Sequence, residues 1–276
     1  MSRPRQWNRR NFLATAGLTA AAAVSPRLLA ESTSDTACLA CISTGNHIQL
    51  FHMRGEIRRP LGKPVACEAP RSPILHPTHD ILYVVHDTSD YLSLPRASIS
   101  AWSIDRSSGE LRQLARVPLT LSATHPQHLA ISPDGRTLLV SATGGGAYNI
   151  FSLAADGSIL PSPHALKQTG HGPHPLQFSA QPSSTVFHPT QPIAYACDFG
   201  ADRVDQLDLS TAVPAIVART PLTSGSGPRH IAFDYSAGHR LLVTSSLEAT
   251  KHIIAIDRNS GRLSPSARLI SISATI

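Results

Sequence analysis

Aromatic residues make up only 5% of the 276 residues, so the 41% that is hydrophobic must build a core from aliphatic and β-branched side chains. Four cysteines are too few to frame a chain of this length with disulfides. Beyond Ala30 no helical period of apolar residues is present. The metalloprotease pattern His-Glu-x-x-His and the nucleophile elbow Gly-x-Ser-x-Gly are both absent, which argues against those two hydrolytic chemistries. The net charge of +6 is local in origin. Arg3, Arg5, Arg9, Arg10 and Arg27 lie between Met1 and Ala30 with no acid, and setting those five aside leaves 19 basic residues against 18 acidic ones. That balance, without a clustered basic stripe, argues against a nucleic-acid-binding surface.

The stretch from Met1 to Ala30 reads as a separate segment. Arg9-Arg10-Asn11-Phe12-Leu13 precedes the small-residue apolar stretch from Ala14 to Val24. A stable membrane anchor needs about 20 strongly apolar residues, and this run is shorter. The arginine pair with Phe-Leu resembles the twin-arginine export signal, which implies the twin-arginine export machinery as a partner and a periplasmic or exported destination. The expected division is residues 1–30 as export signal and 31–276 as the folded domain.

The folded part repeats itself. Ile74–Val85, Leu129–Val140, Thr185–Ala196 and Ile231–Val243 each read as an apolar strand, a polar turn and a second apolar strand. Pro77, Pro133 and Pro189 are evenly spaced, and Tyr235 takes the matching place after a somewhat shorter interval. Further strands follow each hairpin: Ser98–Ile104, Tyr148–Leu153, Val204–Leu209 and His252–Ile256. Three of these run into Ser-Gly or Asp-Gly turns ending at Gly109, Gly157 and Gly261, while the turn after Leu209 is weaker. Four strands per roughly 50 residues is the pattern of an all-β propeller with four-stranded blades. A β-sandwich does not predict one motif at near-constant spacing. Residues 31–276 hold about five such units.

The connecting pieces carry a family resemblance. Leu129-Ala-Ile-Ser-Pro-Asp-Gly-Arg136 with Gly144-Gly-Gly146, then Asp198-Phe-Gly-Ala-Asp-Arg-Val204, Gly227-Pro-Arg-His230 and Asp257-Arg-Asn-Ser-Gly-Arg-Leu263 resemble the lactonase-type β-propellers. This is the 6-phosphogluconolactonase family, related to the carboxy-muconate cyclases. Its members have seven blades, so the resemblance implies that about two C-terminal blades are lacking here. It also implies a site of arginines and a glutamate at the top of the ring, which falls on Arg203, Arg229 and Glu248 as catalytic residues, with His128 and His230 at the substrate. The family's His-x-His pair falls on Gln181 and Ser183, a departure from the pattern.

Those residue types suit the opening of a lactone. Water must lose a proton as it attacks the carbonyl, and the resulting oxyanion must be stabilised. Arginine presents a permanently charged fork of donors for that oxyanion, and a glutamate in apolar surroundings serves as base. The expected function is a lactone hydrolase acting on a small-molecule sugar lactone, with no cofactor and no metal. The alternative is a non-catalytic exported propeller that binds a ligand, favoured by the missing His-x-His. Without the resemblance, Arg203 reads as a surface residue or as the partner of a nearby acid such as Asp202. His125 with His128, and His171 with His174, form two His-x-x-His pairs in expected loops with few acids near. Cys38 and Cys41 form a Cys-x-x-Cys inside an apolar, strand-like run, where packing is expected rather than redox chemistry.

Overall fold

The computed structural model describes residues 38–234, 239–248, 250–265 and 268–271. The segment read as an export signal and the turn of the fourth repeated hairpin, with Tyr235, lie outside them. The described residues form five antiparallel sheets and contain no helix. The first sheet has three strands, β1 (Cys38–Thr44), β2 (His47–Arg54) and β3 (Ile57–Ala66). The second has β4 (Pro70–Leu75), β5 (Ile81–His86), β6 (Ser98–Ile104) and β7 (Leu111–Pro118). The third has β8 (Thr124–Ile131), β9 (Thr137–Gly144), β10 (Ala147–Ser152) and β11 (His164–Lys167). The fourth has β12 (Pro182–Phe187), β13 (Ile193–Asp198), β14 (Arg203–Asp208) and β15 (Ala215–Pro221), and the fifth β16 (Pro228–Phe233), β17 (Arg240–Ser245), β18 (Thr250–Ala255) and β19 (Arg268–Ser271).

Within every sheet the strands pair in chain order, each with the next. The first strands line the axis: β1 packs on β4, β4 on β8, β8 on β12 and β12 on β16. The sheets are therefore propeller blades in an open arc rather than a closed ring. This is the architecture that the repeat predicts.

Continuous apolar runs make sense in this stacking, because a blade is covered on both faces. In β5 all six residues are buried. Tyr83 and Val85 point into the core shared with the third sheet, while Leu82 and Val84 point into the core shared with the first. The fourth sheet repeats the device, with Tyr195 and Cys197 facing the fifth sheet and Ala194 and Ala196 facing the third. Full burial of one aliphatic side chain contributes about 1.5–3 kcal/mol. Four such inter-blade cores explain how a chain with few aromatics holds together.

The two ends of the blades differ. At one end lie the repeated turns. His76 Nδ1 accepts the N–H groups of Thr78 and His79 at 3.1 and 3.0 Å, and His188 Nδ1 accepts those of Thr190 and Gln191 at 3.2 and 3.1 Å. Ser132 Oγ takes this capping place in the third sheet, accepting from Arg136 and Thr137 at 3.2 and 2.9 Å. At the other end, here the top, lie the entries to the first strands and the connections between second and third strands. Gly144-Gly145-Gly146 is one of these, a tight turn between β9 and β10 with φ of 75° and 57° at the last two residues. Arg203, Arg229, Glu248, His128 and His230 all lie toward this top end.

The four cysteines are free. Cys38 and Cys41 lie three apart on β1 and so face opposite sides of the strand. Burial, and after it the neighbouring Cys67, pushes the Cys41 thiol up to about 12. Both observations fit packing rather than redox chemistry.

Candidate functional site

From the second sheet on, each first strand enters the top face through a proline: Pro70, Pro126, Pro182 and Pro228. Proline cannot donate to the ladder and is tolerated at the first residues of a strand. A register shift follows each time, between Pro126 and His128, Pro182 and Ser184, and Pro228 and His230. The bulged residues are Gln127, Ser183 and Arg229, and in the second sheet Arg71 stands next to the corresponding shift. A bulge re-aims the side chain it carries. One position in each of these four blades is thus set apart at the entry end.

Arg229, His128 and His230 come together at this end. The Arg229 guanidinium reaches past the fourth sheet to Gln127, with Nη2 donating to Oε1 at 3.4 Å, and its Cζ lies 5.8 Å from the Phe199 ring centre. The His128 Nδ1 accepts the Thr185 N–H at 3.3 Å, which places the proton of the neutral ring on Nε2. Burial, then the neighbouring His230, lowers His128 to about 4. His230 is open to solvent on one side and is lowered less strongly, first by the surrounding protein and then by Arg229. Both imidazoles are therefore neutral at pH 7, beside a fixed positive charge.

The loop before Arg229 is held by an aspartate. Asp202 is buried, and its Oδ1 accepts the Gly227 N–H at 2.9 Å and the Gln177 Nε2 at 2.7 Å, while its Oδ2 accepts the Gly225 N–H at 2.6 Å. The backbone of Asp202 sits at φ 47°, a region that aspartate tolerates better than most residues. Gly227 has φ 61°, and a Cβ there would meet Phe199 and Leu247 within 2.8 Å. The Gly-Ala-Asp-Arg-Val and Gly-Pro-Arg-His segments are therefore parts of one assembly.

Arg203 stands two strands out from the axis, on the third strand of its blade. Its Nε donates to Asp205 at 3.0 Å, Nη1 to the Thr169 carbonyl at 3.0 Å, and Nη2 to Gln168 at 3.2 Å and to Asp198 at 3.3 Å. Asp198 and Asp205 are completely buried, and the Arg203 side chain is 15% exposed. Its acid partners are thus Asp198 and Asp205 rather than Asp202. The register explains the choice, since Asp198 is the cross-strand partner of Arg203 and Asp205 follows two residues later on the same face. Burial raises Asp198 to about 6, although the Gln181 N–H and Arg203 both oppose the shift.

Glu248 is exposed in the connection between β17 and β18, with its N–H on the Ser226 carbonyl at 3.4 Å. Its charge is felt by His252, which burial lowers and Glu248 raises. Gln181 and Ser183 are tied within the fold. Gln181 Nε2 donates to the Leu176 carbonyl at 2.7 Å, and Ser183 Oγ to the Pro228 carbonyl at 2.8 Å. Of the two His-x-x-His pairs, His125 and His128 have separate partners, and His171 and His174 are both exposed. Among the described residues no three His, Cys, Asp or Glu side chains are grouped to hold a metal ion.

Asp87 and Arg71 are top-face residues that the sequence does not single out. Asp87 Oδ2 accepts from Arg71 Nε at 2.5 Å, and Asp87 Oδ1 lies 3.0 Å from His125 Nδ1. The entry prolines, seven residues ahead of the turn prolines, are the signal that locates Arg71, Gln127 and Ser183 beside Arg229.

Known proteins resemble this chain over much of its length. It is 26% identical over 164 residues to a 6-phosphogluconolactonase of Bacillus subtilis, a match covering 59% of this chain and 46% of that protein. It is 28% identical over 141 residues to a 6-phosphogluconolactonase of Pectobacterium carotovorum, covering 50% of this chain and 39% of the relative. The chain thus matches less than half the length of either. The solved structure of a periplasmic gluconolactonase of Pseudomonas aeruginosa superposes with a TM-score of 0.71 at 25% identity, over 84% of this chain and 66% of that one. The model of the family described as lactonase, 7-bladed beta-propeller, matches residues 28–276, and the chain belongs to that family.

Proposed function

We propose that this protein is a lactone hydrolase acting on a sugar lactone at the rim formed by Arg229, His128 and His230. The observation that carries the reading is the convergence of a bulge-directed arginine with two neutral imidazoles on one face of a lactonase-family propeller. In this reading the carbonyl oxygen of the lactone sits against Arg229, whose charge grows in value as the oxyanion forms. The Nε2–H of His128 offers a second donor. Water attacks the carbonyl carbon, its proton goes to a neutral imidazole of the top face, and collapse of the tetrahedral intermediate breaks the ring C–O bond. The product is the open hydroxy acid. Arg203 acts from behind, holding the connection at Gln168 and Thr169 against the fourth sheet, and Glu248 stays beside His252.

The names of the relatives support both a phosphorylated and an unphosphorylated gluconolactone as substrate. The arginine-rich leader supports export by the twin-arginine route, and an exported enzyme meets the unphosphorylated lactone. A second reading, a ligand-binding propeller without catalysis, is favoured by one observation: Gln181 and Ser183 make bonds within the fold where the family pattern has its histidines.

The deciding measurement is the opening of gluconolactone and 6-phosphogluconolactone, each against its spontaneous rate. Acceleration by the wild type is expected, together with a loss of about 10²–10³ in kcat/KM for Arg229→Ala, the usual cost of removing an oxyanion donor. Binding of either lactone without acceleration establishes the scaffold reading instead.

A further inference from the structure

We propose that His125, oriented by Asp87, is the general base of the top face, with Arg71 as the residue that positions Asp87. The inference rests on the lactone-hydrolase reading and adds to it the group that takes the proton. A base needs a ring nitrogen with its lone pair outward, a fixed orientation, and a carboxylate on its other nitrogen. His128 fails the first condition, because its Nδ1 lone pair is occupied by the Thr185 N–H and its Nε2 carries the proton. His230 fails the third, because its charged neighbour is the cation Arg229.

His125 meets all three. Its Nδ1 lies 3.0 Å from Asp87 Oδ1, and only an N–H can bond a carboxylate there, so Nδ1 carries the proton and Nε2 is the basic nitrogen. The side chain is 52% exposed, whereas Asp87 is 18% exposed and held from its other oxygen by Arg71 at 2.5 Å. The carboxylate therefore orients the ring, as the third member of a catalytic triad does.

The backbone reinforces the assignment. His125 has φ 50°, an uncommon conformation for a non-glycine residue. It is held there from both sides: its N–H donates to the Thr88 carbonyl at 3.3 Å, and its carbonyl accepts from Thr143 Oγ1 at 3.0 Å and from Gln127 Nε2 at 3.4 Å. Backbone strain of this kind persists only where the surroundings over-determine it, and it clusters at functional sites. Gln127, two residues along β8, is the residue that Arg229 touches. Gln127 also donates to the His125 carbonyl, so base and oxyanion donor share one neighbour.

The step balances without any further reagent. Water oxygen bonds to the carbonyl carbon while its proton moves to His125 Nε2. When the tetrahedral intermediate collapses, the ring C–O bond breaks and the same proton passes to the leaving alkoxide, regenerating neutral His125.

His125→Gly is the informative variant, because glycine adopts the φ of 50° found here without strain and leaves room for a free imidazole. The expected result is a fall in kcat of about 10²-fold with KM little changed. Added imidazole restores much of the lost rate, and the thermal midpoint is not lowered. Asp87→Asn is expected to lower kcat by about 10-fold or more with KM retained. If the wild type accelerates lactone opening and His125→Gly matches it, this inference falls while the hydrolase reading stands. A kcat loss that imidazole does not rescue, or one that comes with a lowered midpoint, makes the pair structural and also overturns it. A wild type that does not accelerate the reaction overturns both.

Discussion

At the turn end of the blades, His76, Ser132 and His188 hold one evenly spaced position of the repeat, and all three do the same local task of capping a turn. At the entry end, the same interval relates Arg71, Gln127 and Ser183, with Arg229 completing the series, and no two of the four have the same partners. Arg71 binds Asp87, Ser183 binds a carbonyl of the next blade, and Arg229 reaches past one blade to Gln127. The turn end is repeated because each turn solves a local problem that recurs in every blade. The entry end differs from blade to blade because its side chains take partners from other blades, and those partners do not repeat. Histidine abundance alone is therefore a poor guide to function here: His76 and His188 are buried caps of the turns, whereas His128 and His230 are neutral groups beside charge on the rim.

The sharpest way to break this contrast is to remove the residue that shapes the entry end of the fifth blade. Asp202→Ala takes away a buried acceptor of bonds from Gly225, Gly227 and Gln177, and it leaves alanine at φ 47°. Charge-assisted hydrogen bonds contribute about 1.5–3 kcal/mol each, so a loss of about 3–5 kcal/mol in denaturant unfolding is expected. Asp202→Asn, which tolerates the backbone conformation, is expected to lose less. If both variants unfold like the wild type, the loop that carries Arg229 is held by something other than Asp202.

The second test concerns the buried acids behind Arg203. Asp198 has its folded-state pKa raised from 3.8 to about 6, with burial as the leading cause. A carboxyl whose pKa is raised on folding contributes stability below its unfolded pKa and loses that contribution as pH rises through its folded pKa. Relative to Asp198→Asn, the wild type is therefore expected to lose stability between about pH 4 and pH 6, by about 2–3 kcal/mol from the linkage relation. A stability difference between the two proteins that stays flat over that window removes the raised pKa, and with it the picture of Arg203 as an ion serving acids poorly accommodated without it.

These two networks also mark how far the sequence can be read. The blades are legible because a repeat of apolar strands and polar turns is a local pattern, and the even spacing of Pro77, Pro133 and Pro189 gives their pitch directly. The top face is legible too, since antiparallel order places Arg203, Arg229, Glu248, His128 and His230 toward one end. What each does there depends on contacts between distant segments. Arg203 meets Asp198 through strand register and Gln168 through the preceding connection, and neither contact leaves a trace in spacing alone. His125 looks like half of a His-x-x-His pair until the fold brings Asp87 to it from 38 residues away.

The smallest expected effect tests the repeated end. Tyr83 and Tyr195 occupy the same place in the second and fourth blades, and each hydroxyl donates at 2.5 Å to a glycine carbonyl in the far turn of the next blade, Gly157 and Gly261. Burial raises both phenols well above their ordinary value. In the third blade the matching residue is Leu139, packed in the core shared with the fourth blade. The corresponding turn of that fourth blade, 209–214, contains no glycine. Tyrosine and turn glycine thus form an inter-blade lock between the second and third blades and between the fourth and fifth, which the third and fourth blades lack, while the second blade keeps Gly109 with no tyrosine in the first sheet. Replacing either tyrosine by phenylalanine is expected to lower stability by about 1 kcal/mol, from one buried hydrogen bond. The two losses should be equal within error and additive in the double variant, because the locks share no partners. Unequal losses, measured by denaturant unfolding, mean that the repeated end is not repeated in energy and that the contrast with the entry end is one of sequence alone.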